Sequence, residues 1–114
     1  MRFVLNELMP WHQSPDSPTV LDPACGSGIF LVEAYRRLVF RAQRARGGSR
    51  LTFSELRDIL VGCIHGVDID PDAIRVAAFS CYLALLDFLS PKSIWTRVKL
   101  PKLIGHNLVV GDFF

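Results

Sequence analysis

The chain is 114 residues long, 50% apolar and 21% charged, with a formal net charge of +2. That length holds one small domain, the composition excludes a disordered chain, and the charge is too small to imply a nucleic-acid partner by itself. A chain so short buries a smaller share of its surface than a larger domain does, so the high apolar content also fits a piece of a bigger core with some faces uncovered. Cys25, Cys63 and Cys81 are widely spaced and form no CxxC or Cys/His cluster of metal-ligand spacing. They read as buried thiols of a reducing compartment, and no metal site is expected. No apolar run reaches membrane-spanning length, and Asn6 and Glu7 interrupt the apolar start early. A cytoplasmic protein without membrane contact is expected.

Phe3, Val4, Leu8 and Met9 recur at near-helical spacing, which predicts a short helix within Phe3 to Trp11, ended by Pro10. The proline-rich stretch from Gln13 to Pro18 reads as a loop. Thr19-Val20-Leu21 begins a short strand that runs into the glycine turn Asp22 to Gly28. From Ile29 the pattern is helical, with Leu31, Val32, Ala34, Tyr35, Leu38 and Val39 apolar, and it fades near Gly47-Gly48. Thr52-Phe53-Ser54-Glu55 has the form of a capping box and starts a second helix, with Gly62 expected to end it. Cys63 to Asp68 reads as a second strand. Asp70 as N-cap, Pro71 at the first helical position and Asp72 in the first turn predict a third helix, nearly all apolar, that ends near Ser90-Pro91. An irregular segment from Pro91 to His106 precedes a third strand, Asn107 to Val110, and the closing Gly111-Asp112-Phe113-Phe114. Strand and helix alternate, which is the α/β signature of a parallel sheet.

Ligands of open α/β sheets bind at the carboxyl ends of the strands. Three such ends here are acidic or glycine-rich: the turn Asp22, Pro23, Ala24, Cys25, Gly26, Ser27 and Gly28, then Asp68, then Asp112. Gly26 and Gly28 allow positive φ and close approach of a ligand to the backbone, and the helix that follows offers N–H groups to a carboxylate or phosphate. The bland alternative is an ordinary tight strand-to-helix turn. Asp68 can accept both hydroxyls of a ribose; its alternative role as a charge at the next helix start is already filled by Asp70. Ile69 either packs on an adenine face or belongs to the core. Asp112 can accept the adenine amine and Phe113 can stack on the ring, against a bland reading of both as chain-end residues. A dinucleotide fingerprint fails because Leu31 stands at the third glycine position and Asp68 is too distant, and no Walker pattern exists.

Asp22-Pro23-Ala24-Cys25-Gly26-Ser27-Gly28-Ile29-Phe30-Leu31 resembles motif I of the adenine-N6 DNA methyltransferases of restriction-modification systems. Gly66-Val67-Asp68-Ile69-Asp70-Pro71 resembles their motif II, and Val110-Gly111-Asp112-Phe113-Phe114 their motif III. The resemblance covers about residues 19 to 114 in the family's order. It implies a Rossmann-like class I methyltransferase fold, here a partial parallel sheet of the first three strands with flanking helices. It also implies S-adenosylmethionine as cofactor, with Asp22 to Gly28 along its methionine part, Asp68 at the ribose, and Asp112 with Phe113 at the adenine.

The family's catalytic motif carries a Pro-Pro pair after a fourth strand, and this sequence contains no such pair. The expectation is therefore a partial methyltransferase domain over residues 1–114, with motifs I to III only. No catalytic residue is assigned, the chain by itself should be inactive, and DNA should be engaged through the complete parent protein. Uncovered apolar faces and sheet edges make self-association of the fragment an expectation. The alternatives are the same fold acting on RNA or on a protein glutamine, and a non-catalytic cofactor-binding or interaction module; the wording of motif I favours DNA. Arg36, Arg37, Arg41, Arg44, Arg46 and Arg50 make a basic stretch that reads as a solvated helix face rather than a phosphate-binding one. His12, His65 and His106 are scattered, and nothing in the sequence pairs them.

Overall fold

The structure is a computed structural model that describes residues 19–90 and 99–111. The expected helix at the start, the proline-rich loop, residues 91–98 of the irregular segment, and Asp112, Phe113 and Phe114 lie outside the described residues. In chain order the elements are β1 (Val20–Asp22), α1 (Ile29–Ala45), α2 (Phe53–Cys63), β2 (Ile64–Asp68), α3 (Pro71–Asp87) and β3 (Leu108–Val110). The strands form one parallel sheet in the order β1-β2-β3. Val20 pairs with Ile64 and Asp22 with Gly66, while Gly66 pairs with Leu108 and Asp68 with Val110. The expected α/β fold with three parallel strands is present, and the register brings all three carboxyl ends to one edge.

Side chains alternate across a strand, so one face of the sheet carries Val20, Ile64, Gly66 and Leu108, all buried. Helices α1 and α3 pack on that face, and α2 packs against both of them. Helix α1 buries Leu31, Ala34, Tyr35, Leu38 and Val39 at helical spacing. The Tyr35 hydroxyl donates to the Leu56 carbonyl at 3.0 Å, which satisfies a polar group deep in the core. Helix α3 buries Ile74, Ala77, Ala78, Cys81, Ala84 and Leu85, mostly small residues that permit close approach, yet it also exposes Val76, Phe79 and Leu83. The opposite sheet face carries Leu21, His65, Val67 and Val109, and they line an open hollow of about 400 Å³. No helix among the described residues is long and apolar enough to cross a membrane.

Helix starts follow local chemistry. Thr52 and Glu55 form the expected capping box, with Glu55 N–H donating to Thr52 Oγ1 and Thr52 N–H to Glu55 Oε1. Arg46, at the end of α1, forms an ion pair with the same Glu55. Asp70 caps α3 through the Asp72 N–H at 2.9 Å.

The end of α2 differs from expectation. The helix runs through Gly62 to Cys63, and β2 begins at Ile64 with no connecting loop. Gly62 does not take positive φ, so it provides no glycine stop. Asn107, 5% exposed, supplies the stop instead. Its Nδ2 donates to the carbonyls of Leu60 at 3.3 Å, Val61 at 2.7 Å and Ile64 at 2.8 Å. The Leu60 carbonyl also accepts from the Ile64 N–H, so the amide adds a second donor there and supplies one to the Val61 carbonyl that the helix end leaves open. Asn107 itself stands just before β3 rather than in it, and β1 starts at Val20 rather than Thr19.

Candidate functional site

The three strand ends meet at Asp68. The turn after β1 continues the sheet bonding for one step, Cys25 N–H to Val67 O at 3.0 Å. Next, Gly26 N–H donates to Asp68 Oδ2 at 3.0 Å. The other carboxylate oxygen, Oδ1, accepts from Asp70 N–H at 2.9 Å. The Asp68 carbonyl accepts from Gly111 N–H at 2.9 Å, which ties the end of β3 to the same residue. Two parts of the sequence 42 residues apart are therefore joined through one carboxylate. A carboxylate offers about four acceptor positions, so Asp68 is held in a fixed orientation with acceptor capacity left over.

The turn itself has an inner and an outer side. Asp22, Pro23, Cys25 and Gly28 are buried, Gly26 is half-buried, and Ala24 and Ser27 are exposed. Asp22 Oδ1 accepts from Ala24 N–H at 3.1 Å and starts the bend. Gly26 and Gly28 both take positive φ, 52° and 85°. Gly28 is the N-cap of α1, so no side chain caps that helix, and its first turn holds no acidic residue. Ile69, beside Asp68, is 72% exposed, outside the core formed by the described residues. The structure thus brings Asp22 to Gly28 together with Asp68 and Ile69. Asp112 and Phe113 fall outside the described residues, next in sequence to Gly111.

Burial, and after it the Asp68 and Asp22 carboxylates, push the Cys25 thiol up to about 11. Burial, and then Cys25, push the Cys81 thiol up to about 12. Both stay neutral near pH 7 and neither is a nucleophile there. Three arginines of the basic stretch are engaged in surface ion pairs: Arg36 with Asp87 at 3.7 Å, Arg37 with Glu33 at 3.3 Å, and Arg46 with Glu55. His65 and His106, unpaired by sequence, line the same hollow on the open sheet face. Strand parity was the available signal for His65, since it alternates with the buried Ile64 and Gly66.

The parallel α/β sheet sets a glycine turn, an acid and an exposed apolar residue at neighbouring strand ends, and the sequence carries no phosphate-binding fingerprint. The family follows from comparison: the chain belongs to the MmeI DNA-methyltransferase domain family, whose model matches residues 5–95. It is 31% identical over 115 residues to a protein of Methanocaldococcus jannaschii described as a type II restriction enzyme and methyltransferase, covering 98% of this chain and 9% of that protein. A type II restriction enzyme and methyltransferase of Escherichia coli is 27% identical over 104 residues, 80% of this chain and 10% of the relative. An adenine-specific methyltransferase of Escherichia coli is 41% identical over 76 residues, 67% of this chain and 6% of the relative. The chain thus spans no more than 10% of the length of these relatives. No solved structure matches it.

Proposed function

We propose that residues 1–114 form part of a Rossmann-like class I methyltransferase domain and bind S-adenosylmethionine for a protein that methylates adenine N6 in DNA. The observation that carries the reading is the Gly26 N–H to Asp68 Oδ2 bond of 3.0 Å, because it sets the glycine turn and the acid side by side. In this reading Asp22, Pro23, Ala24, Cys25, Gly26, Ser27 and Gly28 form the wall for the methionine part, with the buried members shaping it and Ala24, Gly26 and Ser27 facing outward. The uncapped first turn of α1 receives the methionine carboxylate. Asp68 uses its remaining acceptor positions for the ribose hydroxyls. Ile69 lies against the adenine, Asp112 accepts the adenine amine and Phe113 stacks on the ring.

The residues fit this cofactor. Among the described residues, and apart from its chain neighbours, nothing lies within 4 Å of the place a Cβ on Gly26 would take, so its outer side is open to them. When bound, S-adenosylmethionine supplies an electrophilic methyl group on its sulfonium. The chain's own part is to hold and orient the cofactor; no residue of it is assigned to the DNA base that receives the methyl group. It contains no Pro-Pro pair, and the reading expects the 114 residues by themselves to transfer no methyl group. DNA is the proposed partner of the complete protein, the cytoplasm its place, and self-association of the chain is proposed through the open sheet face.

The test is transfer of labelled methyl from S-adenosylmethionine by the full-length protein to DNA, RNA and protein, with N6-methyladenine identified in the DNA. Label in RNA or on glutamine alone overturns the substrate, and no labelling or cofactor binding overturns the enzyme reading. The relatives' names, adenine-specific methyltransferase among them, favour DNA adenine over the other substrates.

A further inference from the structure

The glycine turn is held at two points and open between them. At the near point, a Cβ on Gly66 would stand 2.9 Å from Cys25 Cβ and 2.8 Å from Leu31 Cδ1. Strand β2 can seat Cys25 only because residue 66 has no side chain. At the far point, a Cβ on Gly28 would stand 2.9 Å from the Cα and 3.0 Å from the Cβ of Ala77. The first of these atoms belongs to the backbone of α3 and cannot swing aside. Between the two points Gly26 meets no described residue beyond its chain neighbours within 4 Å of its Cβ position, and Ser27 is exposed.

Residue 77 belongs to none of the motifs in the turn or after β2, yet it sets how close Gly28 can come to α3. Ala77 is fully buried, and α3 is fixed behind it by Ile74, Ala78, Cys81 and Leu85, all in the same core. Added bulk at 77 therefore displaces Gly28 rather than α3. Because Gly28 is the N-cap of α1, that displacement re-aims the first-turn N–H groups while leaving Asp68, held by Asp70 on its other side, in place. Resting on the cofactor reading above, we propose that Ala77 is a positioning residue for the amino-acid end of S-adenosylmethionine, acting through Gly28.

The test compares two ligands by titration calorimetry on the full-length protein. S-adenosylmethionine carries the amino-acid end; 5′-methylthioadenosine shares the nucleoside and lacks it. With Ala77→Val, affinity for S-adenosylmethionine should fall about tenfold, and with Ala77→Ser about threefold, since overpacking scales with added volume. Affinity for methylthioadenosine should stay within about twofold in both. If the valine variant fails to fold, the serine variant carries the comparison. Equal losses for the two ligands, or no loss, overturn the inference while the cofactor reading stands. A natural protein that binds neither ligand overturns the cofactor reading and this inference with it.

Discussion

Helices α1 and α3 both begin at the carboxyl end of a strand, and they begin in opposite ways. Helix α3 closes its own N-terminus: Asp70 accepts from Asp72 N–H, Pro71 needs no partner for a missing N–H, and Asp72 pairs with Arg75 at 2.7 Å. Helix α1 has glycine at the N-cap and no acid in its first turn. One start is completed by side chains within a few residues of it; the other leaves its positive end to whatever occupies the site. The contrast separates a helix start closed by its own side chains from one left without a side-chain cap, within one sheet.

The sharpest break is alanine at the two positive-φ glycines of the turn, Gly28 and Gly26. Gly28→Ala forces an L-residue into positive φ, about 1–2 kcal/mol, and presses a methyl onto Ala77, about 1–3 kcal/mol more. The variant should lose on the order of 2–5 kcal/mol of stability, read from denaturant unfolding. Gly26→Ala, with open space around it, should lose only the conformational part, about 1–2 kcal/mol. Equal costs at the two glycines would remove Ala77 from the account.

Next in size is the pair of acids after β2. Asp68→Ala should weaken S-adenosylmethionine by about ten- to a hundredfold. It should also lower stability, because its carboxylate holds both Gly26 and Asp70 N–H groups. Asp70→Ala should cost about 1 kcal/mol of stability and leave affinity nearly unchanged. Calorimetry on both variants decides, and the reverse pattern would assign the ribose to Asp70.

A smaller effect comes from Cys25. Its thiol is raised from 9.0 to about 11 in the folded protein, so the folded state keeps a proton that the unfolded state releases. Stability from this group is complete below pH 9 and is lost as pH rises toward about 11. Thermal midpoints measured across that window should fall, and Cys25→Ala should flatten the fall. The smallest effect is expected from Arg75→Ala at the self-closed start of α3, below about 1 kcal/mol because the pair with Asp72 is exposed. A larger loss would mean that this start relies on charge rather than on its cap.

What the sequence made legible was local. The Thr52 to Glu55 capping box, the Asp70-Pro71-Asp72 start and the glycine turn each work within about four residues, and each stands where the pattern put it. The parallel strands followed from alternation of elements. What stayed hidden depends on partners far along the chain. The need for glycine at 28 comes from Ala77, and at 66 from Cys25 and Leu31. The burial of Cys25 was expected of a thiol and is present, but the inward burial of Pro23 comes from packing that the motif's wording does not encode. Gly62 misled because glycine often follows a helix end, whereas this helix is stopped by a side chain more than 40 residues downstream.

That stop has a temporal consequence. During synthesis the chain emerges from its N-terminus, so α1, α2 and β2 are exposed before Asn107 exists. Until then the carbonyls of Val61 and Ile64 lack their Asn107 donor and turn to water, and the loopless joint between α2 and β2 has only the local Ile64 N–H to Leu60 carbonyl bond to fix its end. Closing it requires a long-range contact, which costs loop-closure entropy before it returns stability. The joint should therefore lock last and open first, and amide exchange around Ile64 should follow the docking of β3 rather than the formation of α2.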